Sequence, residues 1–138
     1  MRYACQQTGA MRYATGMETF NDIPIILFRN AKAWEAWLAS HADQQVGVWI
    51  KLAKKGSGAT SVNYVEAVEG ALCYGWIDGQ VRSLDKQYYL QKFTPRRSRS
   101  AWSKTNIGKA ERLIAEGRMQ PSGLAAIEAA KADGRWHS

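Results

Sequence analysis

A short segment near the middle of the chain, PRRSRSAWSKTN at 95–106, carries a dense set of groups that can bind an anion. Guanidinium groups donate paired hydrogen bonds to phosphate or carboxylate. The segment leads into a predicted helix, whose N-terminus offers free backbone N–H groups and a partial positive charge. It therefore predicts a site for one phosphate-like group. The predicted ligands in this segment are Arg96, Arg97, Ser100, Lys104 and Asn106.

The distribution of charge also favours an anionic partner. The chain of 138 residues has 19 Lys and Arg against 12 Asp and Glu, a formal net charge of +7. Between Arg82 and Arg118 there are ten basic and three acidic residues, which gives +7, so the rest of the chain sums to zero. We therefore expect an anionic small molecule or a polyanion as the partner, and we add Arg82 and Lys92 to the predicted groove.

Four residues are predicted to support this site. Adjacent arginines on a loop diverge, so one is expected to bind the anion and the other to pair with an acid such as Asp78. Asp78 could instead act as a general base, although a structural ion pair is the more common role. Trp76 and Trp102 could stack on a base or sugar, although core packing is commoner for tryptophan. Tyr89 and its neighbour Tyr88 point to opposite faces of a strand, so only one of them can face a site.

Other chemistry has little support in the sequence. The two histidines, His41 and His137, lie far apart, so neither a zinc site nor a Ser-His-Asp triad can be drawn. The basic, glycine-rich loop at 54–58 lacks the spacing of a nucleotide-binding loop. Cys73 lies among apolar residues of a predicted helix and is expected to be a buried, unreactive thiol. We predict no metal and no cofactor.

Hydrophobic periodicity predicts a single α+β domain, with a small mixed sheet of three to four strands packed against about four helices. Helices are expected at about 31–41, 64–74 and 121–132, with Asn30 and Asn63 as the N-caps of the first two. A further long helix is expected to begin after Ser100 or Ser103 as its N-cap and to reach Glu116. Strands are expected at 46–53, 76–83 and 88–93, and an extended apolar segment at 23–28 lies at or before an edge. The β–α–β order of 46–53, 64–74 and 76–83 predicts that these two strands are parallel neighbours.

The ends of the chain and its composition define the expected domain. Residues 1–16 repeat the tetrapeptide MRYA and show neither periodicity nor caps, so they are predicted to be a disordered leader before a domain at 17–138. No run of eighteen apolar residues and no secretory signal is present, so no membrane span is expected. Two cysteines do not make a disulfide framework, which favours a cytoplasmic protein.

Four stretches carry a resemblance to a known family. They are GVWIKLAKKGSG, YVEAVEGALCYGWIDG, FTPRRSRSAWSKTN and LIAEGRMQPSGLAAIEAAKADGRW. Over about residues 20–136 the chain resembles the N-terminal module of the bacterial YdeI/OmpD-associated (bacteriocin-protection) proteins. The resemblance implies a link to porin association and resistance to antimicrobial peptides, and it brings no established active site. Such proteins continue past the GRW motif into a further helical region, so for a chain that ends at Ser138 we do not expect porin association.

Three functions remain open from the sequence. The first is a non-enzymatic anion-binding module, linked by the resemblance to stress or antimicrobial-peptide resistance. The second is an enzyme acting on a phosphorylated or carboxylated small molecule, with Asp78 as base and the arginines as clamp. The third is a nucleic-acid-binding protein that uses Trp102 and the predicted helix after it, within the basic region at 82–118. A deep pocket holding Asp78 beside Arg96 would favour the enzyme, and a broad, shallow basic face would favour nucleic acid.

Overall fold

The structure, a computed structural model, describes residues 18–97 and 100–136. The predicted leader at 1–16 lies outside the described residues. The described part forms one mixed sheet and four helices. The strands are β1 Thr19–Phe20, β2 Ile23–Ile26, β3 Val48–Ala53, β4 Trp76–Ser83 and β5 Tyr88–Pro95. The helices are α1 Ala31–Ser40, α2 Tyr64–Cys73, α3 Lys104–Ala115 and α4 Pro121–Ala132.

The α+β class and the mixed sheet are confirmed, but the predicted number of three to four strands is wrong. The sheet has five strands in the order β1-β2-β3-β5-β4. The first two form a hairpin in which Phe20 pairs with Ile23, and its turn residues Asn21 and Asp22 have φ angles of 52° and 65°. Asn and Asp tolerate this left-handed conformation, which suits tight hairpin turns. A two-residue strand is too short to show the alternation from which strands are predicted.

The strand neighbours also differ from the prediction. β3 and β4 are not adjacent, because β5 lies between them and pairs antiparallel with both; Phe93 of β5 is opposite Val48 on one side and Asp78 on the other. The parallel neighbours are β2 and β3, joined through α1, with Ile25 opposite Trp49. The chain turns back tightly at 84–87, and β5 lies beside β3. The predicted crossover would have placed β4 in that position.

Local signals in the sequence define the helix starts correctly. The Asn30 side chain accepts a hydrogen bond from the backbone N–H of Ala33 at 2.9 Å. Asn63 and Glu66 form a reciprocal capping box, with bonds of 2.8 and 3.1 Å. Of the two serines considered for α3, Ser103 is the cap and accepts from the N–H of Asn106 at 3.1 Å. Each cap satisfies a backbone donor that the first turn of a helix leaves without a partner.

The core lies between the helices and one face of the sheet. Alternate residues of β3 and β5 point into it, and Phe93 packs on Trp34 of α1 with ring centroids 5.2 Å apart. The indole N–H of Trp34 donates to the Ala67 carbonyl of α2 at 2.9 Å, which satisfies a buried donor. On the opposite face of the sheet, Trp49 is buried beside Phe20. None of the helices in the described ranges is long and apolar enough to cross a membrane.

Candidate anion-binding site

Arg96 leaves the end of β5 and is held in one orientation. Its backbone N–H donates to the Gly75 carbonyl at 2.9 Å. Its guanidinium carbon lies 3.7 Å from the ring centroid of Trp102, a stacked cation–π contact. Its Nη1 donates to the Ser100 hydroxyl and the Ala101 carbonyl, both at 3.1 Å. Stacking and hydrogen bonds together fix the plane of this guanidinium.

The remaining donors of Arg96 are buried and lack partners. Nε and Nη2 form no hydrogen bond within the described part of the chain. Burial lowers the pKa of the guanidinium to about 10, the nearby Asp78 carboxylate opposes this shift, and Arg135 adds to it. The group is still a cation at neutral pH. Buried donors without acceptors are costly, so an anion that reached them would remove a cost that the folded protein already carries.

A groove of about 460 Å³ opens beside Arg96. The described residues that line it include three cations and no acid. Lys92 and Thr94 are two residues apart on β5 and therefore point to the same side. The structure thus brings together three of the predicted ligands, Lys92, Arg96 and Arg97, at one concave surface. The described lining residues are Gln45, Val46, Lys92, Thr94, Pro95, Arg96 and Arg97.

A second, smaller cavity of about 70 Å³ is lined by the same two arginines. Ser100 and Trp102, both predicted site residues, form part of its wall, and α4 contributes Ala126 and Ala129. Arg135 completes the wall. Its Nε donates to both carboxylate oxygens of Asp133 at 2.7 and 2.8 Å, and its Nη1 donates to the Ser100 carbonyl at 2.7 Å. These bonds hold the Arg135 side chain in place.

Asp78 lies in a third crevice, with Trp76, Asn106 and Arg96. The space between the lining residues is too small to hold a water molecule. The Asp78 carboxylate accepts a hydrogen bond from the Tyr64 hydroxyl at 2.8 Å, and within the described ranges it makes no ion pair with Arg96. The deep pocket that would favour an enzyme with Asp78 as base is not formed by these residues.

Two predicted ligands lie away from these cavities. Arg82 is exposed on β4 and stacks over Phe20, with its guanidinium carbon 4.1 Å from the ring centroid. Lys104 is exposed in the first turn of α3 and lines none of the three cavities. The Ser103 cap already accepts from the Asn106 N–H, so that donor of the helix start does not face the groove as a free group.

The three aromatic residues that were predicted to support the site have different surroundings in the structure. Trp76 is buried in the core, which is the commoner alternative stated for it. Trp102 is 7% exposed and lies between the Arg96 guanidinium and Trp136, whose ring centroid is 5.2 Å away. Tyr89 is half-buried opposite Leu52 of β3, on the helix side of the sheet. Of these three, Trp102 is the one that shapes the site.

The lining residues that lie far from Arg96 along the sequence were not predicted. Gln45 and Val46 precede β3, and Arg135 follows α4, about 40 to 50 residues from Arg96 in either direction. Their side chains carry no motif of their own. The neighbouring residues Arg135 and Trp136 were the available signal. They repeat, near the end of the chain, the combination of an arginine and a tryptophan that is also present at Arg96 and Trp102. In the structure Trp136 packs against Trp102, and Arg135 lines the same cavity as Arg96.

Cys73 is a buried free thiol, as expected. Burial is the largest cause that raises its pKa, to about 11, so the thiolate is scarce at neutral pH. In the described part of the chain no group of three or more His, Cys, Asp and Glu side chains could hold a metal ion.

Comparison with known proteins yields a family and no characterised relative. No curated protein and no solved structure matches the chain. The family model described as Domain of unknown function (DUF8412) matches residues 26–126. This range contains Lys92, Arg96 and Arg97, and it ends at Ala126 of the small cavity, before Ala129 and Arg135. Because the match covers more than half of the sequence, the chain belongs to the DUF8412 family.

Proposed function

We propose that the protein binds a small anionic molecule, with phosphate or carboxylate groups, in the groove beside Arg96. One observation carries this proposal. Lys92, Arg96 and Arg97 line the same groove of about 460 Å³, and none of the described residues in its wall is acidic. Unlike a surface on which charges of both signs alternate, such a wall attracts an anion without first breaking an ion pair.

The state of Arg96 supports binding rather than simple surface charge. Its guanidinium is fixed by the Trp102 ring and by two hydrogen bonds, so little side-chain freedom is lost when a ligand arrives. Two of its donors remain without partners in the described part of the chain. Charge-assisted hydrogen bonds from such donors are roughly twice as strong as neutral ones.

The size of the groove favours a small molecule over a polymer. Small-molecule sites occupy roughly 300–1,000 Å³, and this groove falls within that range. Among the described residues, Arg82 stacks on Phe20 and Lys104 lies outside the groove, so these two cations do not extend the groove into the continuous basic face that follows a nucleic-acid backbone.

Thermal melting in the presence of phosphate tests the proposal. Phosphate should raise the melting temperature of the wild-type protein, because a ligand that binds only the folded state stabilises it by about 2.7 kcal/mol at one hundred times its Kd. Lys92→Gln and Arg97→Gln should each weaken phosphate binding roughly tenfold or more. Lys104→Gln is the matched control, since it removes the same charge outside the groove. Sodium chloride at equal ionic strength controls for screening.

Two results would overturn the proposal. One is the absence of any phosphate- or carboxylate-dependent shift. The other is an equal effect of Lys92→Gln and Lys104→Gln, together with binding of single-stranded nucleic acid whose salt slope falls by about 1 for each cation removed. That second pattern would identify a polyanion as the partner.

The biological setting is part of the same proposal. It rests on the resemblance to YdeI/OmpD-associated proteins, which implies a role in stress or antimicrobial-peptide resistance, and on the composition that favours a cytoplasmic protein. A bacterial strain lacking the gene should become more sensitive to such peptides. Wild-type protein should restore resistance and Arg97→Gln should not. Equal rescue by the two proteins would separate this role from the groove.

A further inference from the structure

We propose that the natural ligand carries two anionic groups and occupies both cavities beside Arg96 and Arg97. This inference rests on the proposed function, since it concerns the same site. The groove of about 460 Å³ and the cavity of about 70 Å³ share these two arginines and otherwise have different walls. A molecule that reaches into both cavities therefore meets cationic side chains in each of them.

The guanidinium of Arg96 is suited to bind one of the two anionic groups. Its Nη1 is the nitrogen that bonds Ser100 and Ala101. Nε and Nη2 are left without partners in the described part of the chain, and they lie on the same edge of the guanidinium, where one carboxylate or phosphate can accept from both. The second anionic group would then meet Arg97 together with Lys92 or with Arg135 in the other cavity.

The smaller cavity has the size and chemistry of a pocket for a single terminal group. A water molecule needs roughly 10–15 Å³ of such accessible space, so about 70 Å³ is enough for a group of a few heavy atoms, such as a carboxylate or phosphate. The methyl groups of Ala126 and Ala129 limit its width. The Ser100 oxygen accepts from Arg96, which leaves its hydroxyl hydrogen free to donate to an anion.

Charge in the smaller cavity comes from three arginines. Arg135 is paired with Asp133, so its own charge is largely compensated, and Arg96 and Arg97 supply the excess. None of the residues lining the cavity is acidic. The larger groove adds Lys92 on its side. An anion in either space therefore meets net positive charge, and neither space offers a wide apolar surface for an uncharged ligand.

Joining two anionic groups should increase affinity well beyond that of either alone. Once the first group is bound, the second binds intramolecularly at a high effective concentration, provided that the spacer matches the distance between the cavities. We expect the best dianion to bind roughly 10- to 100-fold more tightly than a monoanion. A spacer that is too short or too long should lose most of this gain.

Calorimetric titration of the full chain with a homologous series tests this. The series consists of straight-chain dicarboxylates and terminal bisphosphates of increasing length, compared with monocarboxylates of the same length and with inorganic phosphate. Ala129→Leu fills the smaller cavity without changing charge, and Ala129 is exposed enough to accept the larger side chain. Ala125→Leu is the matched control, because Ala125 is exposed on the same helix and lines neither cavity. Melting without ligand verifies that both variants fold.

We expect one spacer length to bind best in the wild-type protein and in Ala125→Leu. In Ala129→Leu that preference should disappear, and the best dianion should bind no more tightly than a monoanion of the same length. Dianions that bind no more tightly than monoanions would overturn the inference and leave the proposed function standing, as would a preference that survives in Ala129→Leu. Absence of binding by any anion in the series would overturn both.

Discussion

The hydroxyl of Tyr64 donates to Asp78 across the start of α2 and the middle of β4. Burial is the largest cause that raises the pKa of Tyr64, to about 12, and the bond to Asp78 raises it further in the same direction. A carboxylate next to a phenolate would be a repulsive pair, so the folded protein resists deprotonation of the tyrosine. This contact gives Asp78 a structural role and leaves Arg96 free to meet a ligand.

The Tyr64 contact predicts how stability changes with pH. The pKa of Tyr64 in the folded protein, about 12, lies above the ordinary tyrosine value of 10.0, so the stability from this group is complete below pH 10 and is lost as the pH rises through 12. Tyr64→Phe lacks the hydroxyl. The free energy of unfolding in urea should therefore be lower for the variant at pH 8, and the difference should shrink above pH 10.

Tyr88→Phe is the control for this measurement. The Tyr88 hydroxyl reaches only the Thr60 carbonyl at 3.5 Å, at the limit of a hydrogen bond, so its removal should change stability little at pH 8. A difference between wild type and Tyr64→Phe that stays constant from pH 8 to beyond pH 11 would show that the variant loses packing and not the bond to Asp78.

Residue types predicted three of the side chains that line the groove, but they did not predict the contacts of Asp78. Arg96 and Arg97 were identified because guanidinium groups before a helix suit anions, and the structure places both at the groove. The partner of Asp78 was not identified, because Tyr64 lies on a different element and any of several donors could have reached the carboxylate. Which side chains meet depends on the path of the backbone, and residue type does not contain that information.

At the scale of elements, α2 and α4 approach each other at a glycine. A Cβ added to Gly123 would overlap the Cys73 carbonyl and lie 2.6 Å from the Met119 sulfur. Ser122 donates to the Tyr74 carbonyl at 2.9 Å at the same junction. The start of α4 therefore rests directly on the end of α2. Gly108 of α3 is different, because an added Cβ there would meet no atom within 4 Å.

These two helical glycines should respond to alanine in opposite directions. Gly108→Ala should stabilise the protein by about 0.5–1 kcal/mol, because alanine loses less backbone entropy in a helix. Gly123→Ala should destabilise it by about 1–3 kcal/mol, because the methyl group forces α4 away from α2. Urea unfolding measures both. Stabilisation by both substitutions would mean that the junction between α2 and α4 is looser than the structure shows.

Helices could be predicted from the sequence because their signals are local. Asn63 and Glu66 stand three residues apart and form the capping box between themselves. The position of β5 between β3 and β4 could not be predicted in this way, because strands pair with partners far along the chain. The hairpin turn at 84–87 was visible, yet nothing local says which of its two strands lies beside β3.

For the whole molecule, the excess charge between Arg82 and Arg118 is not spread over one surface. Arg118 bonds Glu35 of α1 at 3.3 Å and Glu69 of α2 at 3.4 Å. Arg112 of α3 also pairs with Glu69. These ion pairs join three helices. The sum of charges along the segment was right, but the direction of each side chain could not be predicted. Glu116 is an acidic partner within the segment, whereas Glu35 and Glu69 lie far from it in the sequence.

This network predicts that Arg118 contributes to folding and not to ligand binding. Arg118→Gln should lower the free energy of unfolding by about 0.5–1 kcal/mol at low salt, the size expected of partly exposed ion pairs that act together. The loss should decrease in 1 M sodium chloride, because salt screens exposed charges. The phosphate-dependent shift in melting temperature should equal that of the wild type, since Arg118 lines neither the groove nor the smaller cavity.

Arg97→Gln is the control for Arg118→Gln and should show the opposite pattern. Arg97 is exposed at the groove, so its removal should leave the melting temperature without ligand nearly unchanged and abolish most of the phosphate shift. Loss of the phosphate shift in Arg118→Gln would contradict this division. It would mean that the anion responds to the net charge of the whole molecule and not to the three cations of the groove.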